Sequence, residues 1–345
     1  MNVVLTVVIP AYNVENYLNH AVKSLLESKR DENIEILIVD DGSTDSTGKI
    51  ADNLADKYFC IKTIHQQNGG HGAAINTGIR EARGKYFKLL DGDDWVHSVE
   101  FARLVDLLSK VEDDLVLCDY CEIYTAERKK RRISYCFPAG ETLLMDKWHV
   151  DFLISMHSHV FRTELLRKLP KQMDCHSFYV DMEYVLYPLP FVKSFRYEKL
   201  AVYQYRLERI GQSVSAEGFR KHYKEDENVM FSLIDYADQY GSIGEMSEAV
   251  SYYMPQRIFD MYYRHILKCI RYLKQEENSI AEYLREFDKK FRELAPQLYC
   301  FYRQIDSRKR SLSALQLCLL RLTGFRIWPI IRTKKVILEK WKKRK

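Results

Sequence analysis

The chain has no run of about 18 or more uncharged apolar residues, and so no segment that reads as an ordinary membrane-spanning helix. It has no Gly-Lys-Ser/Thr phosphate loop. The turn after the first apolar run, Pro10-Ala-Tyr-Asn13, carries no glycine, which argues against a dinucleotide fold with its fingerprint after the first strand. Zinc spacing is missing as well. Eight cysteines (60, 118, 121, 136, 175, 269, 300 and 318) are scattered, and the one close pair, Cys118-x-x-Cys121, sits in a strand-like run with no second Cys or His pair to complete a site. Reduced thiols and strand packing are expected. There is no internal repeat and no low-complexity segment. The apolar start, Val3–Ile9, lacks a basic region before it and a small-residue cleavage site after it, so a strand is expected there and a cytoplasmic location for the protein.

What is present is a globular composition, 46% hydrophobic and 29% charged over 345 residues, a length suggesting roughly two domains. The charge is uneven. Residues 307–345 hold thirteen Lys and Arg against the single acid Glu339, a net +12, which leaves −7 of the overall +5 for residues 1–306. In that tail Leu312, Leu315, Leu319 and Leu322 recur at helical spacing beside Cys318 and Phe325, with Trp328 and Trp341 beyond. An apolar face with tryptophans and many cations describes a helix lying peripherally on an anionic membrane, or one docked on protein with a solvated end. Nucleic acid is not expected as a partner.

Over the first hundred residues the apolar period alternates between strand and helix. Strands are expected at Val3–Ile9 (closed by Pro10), Ile34–Val39, Ile61–His65 and Tyr86–Leu90, and helices at Glu15–Ser28, Thr47–Lys57 and Ala73–Arg83. This β-α-β-α-β-α-β order predicts an α/β fold with a parallel sheet covered by helices. From Leu104 to about Ser215 the pattern is mixed, with Arg128-Lys-Lys-Arg-Arg132 expected as an exposed turn; residues 219–306 read as helical, with Tyr252-Tyr-Met254 and Asp260-Met-Tyr-Tyr263 as helix packing.

Ligands of such sheets bind beyond the carboxyl ends of the strands, and the unusual residues gather there: Pro10–Asn13, Asp40–Asp45, Asn68–Gly72 and Asp91-Gly-Asp-Asp94. Three carboxylates on four positions repel one another unless a cation offsets them, and hard oxygen ligands suit Mg²⁺ or Mn²⁺; a solvated acidic turn before a helix from Ser98 is the plainer alternative. A second acidic turn at Asp40-Asp41 favours the cation, and with it a ligand bearing a diphosphate. The glycines of Asn68–Gly72 would let backbone approach that ligand.

Five pieces in order, Val7-Val-Ile-Pro-Ala-Tyr-Asn13, Ile38-Val-Asp-Asp-Gly-Ser-Thr-Asp45, Asn68 with Gly70, Gly72, Ala74, Asn76 and Gly78, Gly84-Lys-Tyr-Phe87 and Leu90-Asp-Gly-Asp-Asp94, resemble a family 2 glycosyltransferase. The resemblance is specific over residues 3–95 and looser beyond 100. It implies a GT-A (Rossmann-like) nucleotide-sugar-binding domain with a mixed central sheet over 1–218, a nucleotide half to residue 100 and an acceptor half after it. A helical region at 219–306 and the basic tail at 307–345 would follow.

The implied activity is inverting transfer of a sugar from a nucleotide-sugar donor, commonly a UDP-sugar, to a glycan or lipid-linked acceptor with Mn²⁺ or Mg²⁺, in bacterial surface-polysaccharide or glycolipid assembly. Pro10, Tyr12 and Glu15 would line the nucleotide pocket with Asn68 and Gly72, and Asp41 would contact base or ribose. Asp93 would ligate the metal, Asp91 would stand against the ribose and the metal's water shell, and Asp94 would support them.

The family's catalytic base corresponds to Asp181 in Phe178-Tyr-Val-Asp-Met-Glu-Tyr184, where Val180 replaces the usual glutamate and leaves Glu183 as a substitute; Asp181 is also a natural helix N-cap. In Tyr203–Ser213, Arg206 or Arg209 is placed to reach the diphosphate. His157, His159 and His222 are candidate ligands or acceptor contacts, although isolated histidines are ordinarily structural. A catalytically silent binding module is the rival of another class, and a nucleotidyltransferase is disfavoured by the missing Gly-rich basic loop.

Overall fold

β1 (Leu5–Ala11) is buried at every position, as a strand with neighbours on both edges and helices on both faces must be. A computed structural model of the chain describes residues 3–150, 152–207, 215–240, 247–273 and 277–297; Arg209 and the tail 307–345 lie outside the described residues. After β1 come α1 (Leu18–Leu26), β2 (Ile34–Asp40), α2 (Thr47–Lys57), β3 (Ile61–His65), α3 (His71–Glu81) and β4 (Tyr86–Leu89), the expected alternation. β1 runs through Pro10 where a stop was expected. Alternate residues aim their amides at opposite neighbours: the Val8 carbonyl accepts from Leu90 and that of Ala11 from Asp41. Pro10 therefore faces β4 just beyond the last pair of that ladder, Val8 with Leu89, where a missing N–H costs nothing.

The chain continues through β5 (Trp95–Val96), α4 (Ser98–Leu108), β6 (Leu115–Tyr124), β7 (Lys129–Ile133), β8 (Thr142–Leu144), β9 (His159–Arg162), α5 (Thr163–Arg167), α6 (Asp181–Leu186) and β10 (Ser194–Leu207). The ten strands form one mixed sheet in the order β3-β2-β1-β4-β9-β6-β10-β5, with β7 paired to β6 and β8 to β10. β1, β2, β3 and β4 are mutually parallel; β9 is antiparallel to both β4 and β6. The basic run at 128–132 is not a turn. It forms β7, antiparallel to β6, exposed at Lys129–Arg132, and its charges suit an edge strand that must not recruit another. Cys118 and Cys121 are buried on β6, where desolvation pushes the Cys118 thiol up to about 12.

By contacts the chain divides into two compact units, one within residues 1–210 and 243–253 and one within 211–242 and 254–345. The second contains α7 (Ala216–Tyr240), most of α8 (Glu248–Tyr272) and α9 (Glu277–Leu294). Tyr262 packs as expected, buried and stacked on Phe291 and Phe287 at ring separations of 4.1 and 5.5 Å, whereas Tyr252, also expected to pack, is 47% exposed. His265, also buried, bridges Asp226 and Tyr283 at 2.7 Å each, and Tyr283 donates to Glu227. Among the described residues no helix is long and apolar enough to cross a membrane.

The amino ends of the first strands are tied by one buried carboxylate. Glu35 accepts from the Thr6 hydroxyl at 2.7 Å and from the Arg83 amide and guanidinium at 2.8 and 2.5 Å, while Thr6 accepts from the Gly84 amide. Replacement of Glu35 by alanine leaves buried donors unpaired, so the urea midpoint of unfolding should fall by the equivalent of about 1–3 kcal/mol. An unchanged midpoint would show that water replaces the carboxylate at no cost.

Candidate active site

At the carboxyl ends of β1 and β2 the two following loops bind each other. Asn13, at φ +52°, accepts from the amide of Thr44 at 2.8 Å, while the Asn13 amide donates to Ser43. The Val14 amide donates to Thr47 at 2.8 Å, and Glu15 accepts from the Ser46 amide at 2.9 Å. These contacts leave Tyr12 exposed and Pro10 buried. Asp40 is held by the Ser43 amide and by His65, whose other ring nitrogen meets Asp52; both histidine contacts are 2.9 Å.

Asp41 clamps the glycine-rich turn. Its carboxylate accepts from the side-chain amide of Gln66 at 2.7 Å and from the backbone amides of Gly69 and Gly70 at 2.9 and 2.8 Å, and its carbonyl accepts from Asn68. The missing side chains of that turn admit protein. A Cβ on Gly72 would stand 2.1 Å from the Asp174 carbonyl, and one on Gly70, at φ +82°, would stand 3.0 Å from His176 backbone. Asn76 completes the seam, exchanging hydrogen bonds with the backbone of Met173. Segment 173–176 leads into α6, so the glycine turn sets the path by which Asp181 reaches the sheet. Val180 takes the N-cap position and Asp181 is the first helical residue. Glu183 is fully buried and accepts from the Asp174 amide at 2.7 Å and the Tyr187 hydroxyl at 2.9 Å.

β10 holds the acidic turn that follows β4. Its pairing with β6 shifts register between Glu198 and Tyr203, and the residues after the shift reach that turn. The Tyr203 hydroxyl donates to Asp94 at 2.7 Å and accepts from the Asp91 amide; the Arg206 amide donates to the other Asp94 oxygen at 2.7 Å. The Arg206 guanidinium donates to the Asp93 carbonyl and lies over Trp95 and Tyr17, at 4.7 and 5.2 Å from the ring centres. Burial, then the charges of Asp93 and Asp91, drive the Asp94 carboxyl well above its ordinary range.

His71, the first residue of α3, faces Asp91 with 3.3 Å between Nε2 and Oδ1. Burial disfavours its imidazolium, but Asp91, Asp181 and Asp93 outweigh that and raise its pKa. Burial likewise opposes ionisation of Asp91, and His71 reverses the balance. Tyr205 is pushed up by burial and then by Asp94, Asp91, Asp181 and Asp93 together, so Asp181 shares one electrostatic site with the turn about 90 residues before it.

Among the described residues the only grouping of three acid, His or Cys donors fit for an ion is Asp91, Asp94 and His157, whose ligand atoms lie within 4.8 Å of one another. Two carboxylates and one imidazole fit a divalent cation. Asp93, expected as a ligand, is not in that grouping. Burial lowers His157 to about 4, so its ring is neutral near pH 7. His159 is buried, bonded to the Ser155 carbonyl and pushed down to about 3 by desolvation; His222 pairs with Glu225 in the second unit. His71 and Tyr203 are site residues that sequence reasoning missed; a histidine inside the glycine turn was the one available signal.

The mixed sheet with acidic turns at its carboxyl edge defines the GT-A class of glycosyltransferase fold. TarS of Staphylococcus aureus in complex with UDP-GlcNAc has this fold, with a TM-score of 0.61 at 17% identity over 94% of this chain and 90% of that one. So does the mannosyltransferase PcManGT of Pyrobaculum calidifontis in complex with GDP-Man and Mn²⁺, at TM-score 0.53 and 13% identity over 96% and 84%. Within that class, residues 6–169 match the model of glycosyl transferase family 2.

The match extends well past the motif region. A stretch of 116 residues is 40% identical to the glycosyltransferase EpsJ of Bacillus subtilis, covering 34% of this chain and 33% of that protein. A stretch of 123 is 35% identical to the glycosyltransferase GlyA of Streptococcus pneumoniae, covering 36% and 18%. The chain thus aligns with a third or less of the length of these two relatives.

The Asp40–His65–Asp52 contacts predict a pH dependence at the edge of the site. Hydrogen bonds from Asp52 and Asp40 raise the pKa of His65 in the fold. Its stabilisation is therefore complete below the unfolded value of about 6.5 and is lost as pH rises through the higher folded value. His65 is half exposed, so the effect should stay under about 1 kcal/mol. The stability gap between wild type and His65→Gln should be larger at pH 5.5 than at pH 8.5; an equal gap at both would refute the charged pairing.

Proposed function

We propose that the chain is an inverting glycosyltransferase that moves a sugar from a nucleotide-sugar donor, a UDP-sugar, to a hydroxyl of a glycan or lipid-linked acceptor, in bacterial surface-polysaccharide or glycolipid assembly. The feature that supports this reading most is that, after burial, the charges of Asp94, Asp91, Asp181 and Asp93, from two distant stretches of the chain, all act on Tyr205. The family 2 match over residues 6–169 and the nucleotide sugars in structures of the same fold support it.

In this reading Pro10, Tyr12, Glu15 and Asp41 form the nucleotide side, with Tyr12 exposed for a base to rest on. Asn68 and Gly72 shape that wall through Asp41 and segment 173–176. Asp91 and Asp93 face the donor's ribose and diphosphate, with a divalent cation, Mn²⁺ or Mg²⁺, held at the same turn. When bound, that cation supplies positive charge against the leaving diphosphate. Asp181, ionised, takes the proton of the acceptor hydroxyl as its oxygen attacks the anomeric carbon on the face opposite the diphosphate. One displacement inverts that carbon. Glu183 is a support for segment 173–176: its carboxylate is buried and already engaged by Asp174 and Tyr187.

Asp181→Asn should keep donor affinity and lose transfer by about 10²-fold or more, because the amide holds the hydroxyl but takes no proton. Transfer at the wild-type rate in Asp181→Asn would end this assignment. Turnover of UDP-sugars with Mn²⁺ by the wild-type chain separates the enzyme from a silent binding module.

The basic tail is proposed to attach a cytoplasmic enzyme peripherally to anionic membrane. Thirteen cations in residues 307–345, each contributing about 1 kcal/mol near such a surface, should draw the chain to anionic vesicles. The leucines and tryptophans should keep part of it there at high salt. Equal co-sedimentation with anionic and neutral vesicles would remove the membrane role.

A further inference from the structure

We propose that the basic hairpin of β6 and β7 is a membrane-docking surface, which sets the mouth of the site against anionic lipid headgroups. The inference rests on the reading of this chain as one that serves a lipid-linked acceptor, and it adds a contact within the first unit to the one proposed for the tail.

Residues 125–132, the tip of the hairpin and the first four residues of β7, are all exposed. They carry Arg128, Lys129, Lys130, Arg131 and Arg132 against Glu127 alone, a net +4 within residues 1–306, whose total is −7. One charged side chain is enough to blunt a sheet edge, so five consecutive cations exceed what that purpose requires. They divide into two sets. Arg132 reaches the buried Asp119 at 2.6 Å and Arg131 meets Glu122 at 3.4 Å, and these pairs fasten β7 to β6. Arg128, Lys129 and Lys130 make no ion pair among the described residues, and the Lys129 ammonium lies 5.8 Å from the centre of the Tyr124 ring. Arg128 stands at the turn with φ +49°, a left-handed conformation that glycine or asparagine adopts with less strain, so the turn keeps a long cation where no burial calls for one.

Position ties this surface to the site. β10 holds Asp94 through Tyr203, which pairs with Tyr120 on β6, and Tyr120 pairs in turn with Ile133 on β7. From there β6 runs on to Tyr124, beside Leu207 of β10 and opposite Lys129 of β7. At about 3.3 Å per residue, this stretch carries the hairpin roughly 13 Å past the level of Tyr203, on the carboxyl side of the sheet where the site lies. Thr125 donates from the tip to the Leu207 carbonyl and fastens hairpin to β10. The carboxylates of the acidic turn are thereby set back from the cations by more than the screening length of about 8 Å at physiological salt, so headgroups can meet the hairpin without meeting the acids. The leucines and tryptophans of the tail, which a soluble polyanion would not engage, favour lipid as the partner.

The test is hydrogen–deuterium exchange of the full chain with phosphatidylcholine vesicles containing about 30 mol% phosphatidylglycerol, a readout that needs neither turnover nor a variant. Amides of residues 125–131 should exchange at least about fivefold more slowly with these vesicles than with phosphatidylcholine alone. Arg128→Gln, Lys129→Gln and Lys130→Gln combined should lose that slowing and weaken vesicle binding at least about tenfold. The urea midpoint should not move, because these side chains hold no ion pair.

Slowing confined to residues 307–345 would overturn the hairpin contact and leave the tail's standing. Equal slowing with neutral vesicles, or slowing by heparin that anionic vesicles do not produce, would overturn anionic lipid as the partner. Slowing retained in the combined variant would overturn the cations as its cause. No binding to anionic vesicles would reject hairpin and tail together, whereas the glycosyltransferase reading fails separately, on absent turnover of UDP-sugars.

Discussion

The carboxylates after β4 crowd together in one turn, Asp94 buried and Asp91 and Asp93 half-buried, and the strands around it hold them there. Left alone, they would repel and open the turn. Tyr203 and the Arg206 amide prevent this by closing on both oxygens of Asp94, and Arg206 adds a stack on Trp95 and Tyr17. These partners come from β10, more than a hundred residues later, and reach the turn only because β10 shifts register against β6. What remains uncompensated is charge, met by His71 from one side and left available to a cation from the other.

The glycine-rich turn links the two halves of the site. Asp41 pins it from β2, and its missing side chains admit segment 173–176, which carries the chain into α6. The path of the chain from Met173 into α6 is therefore set by backbone packing on glycine. A side chain on Gly72 would displace the helix that bears Asp181 without touching any ligand.

Polar groups inside the second unit follow another logic. Asp226, His265, Tyr283 and Glu227 form a hydrogen-bonded chain across α7, α8 and α9, each satisfying the next. Such a network specifies how helices with many interchangeable aromatic faces must pair, because any other register buries an unpaired acid or imidazole.

Short-range pattern determined the βα alternation. The burial of β1 and β2 is written in consecutive apolar residues, and α2 and β3 begin and end where their period does, because these elements depend on local hydrophobic spacing. The acidic turns were legible too, since crowded carboxylates at strand ends have few structural uses. β7 was missed because a run of cations has no strand period of its own, and only pairing with β6 makes it a strand. The partners and burial of the side chains in the site were decided in three dimensions. No spacing in sequence distinguishes Asp94 from Asp93, or His157 from His159, because orientation, burial and partners come from β10, Ser155 and Lys88 converging across the sheet.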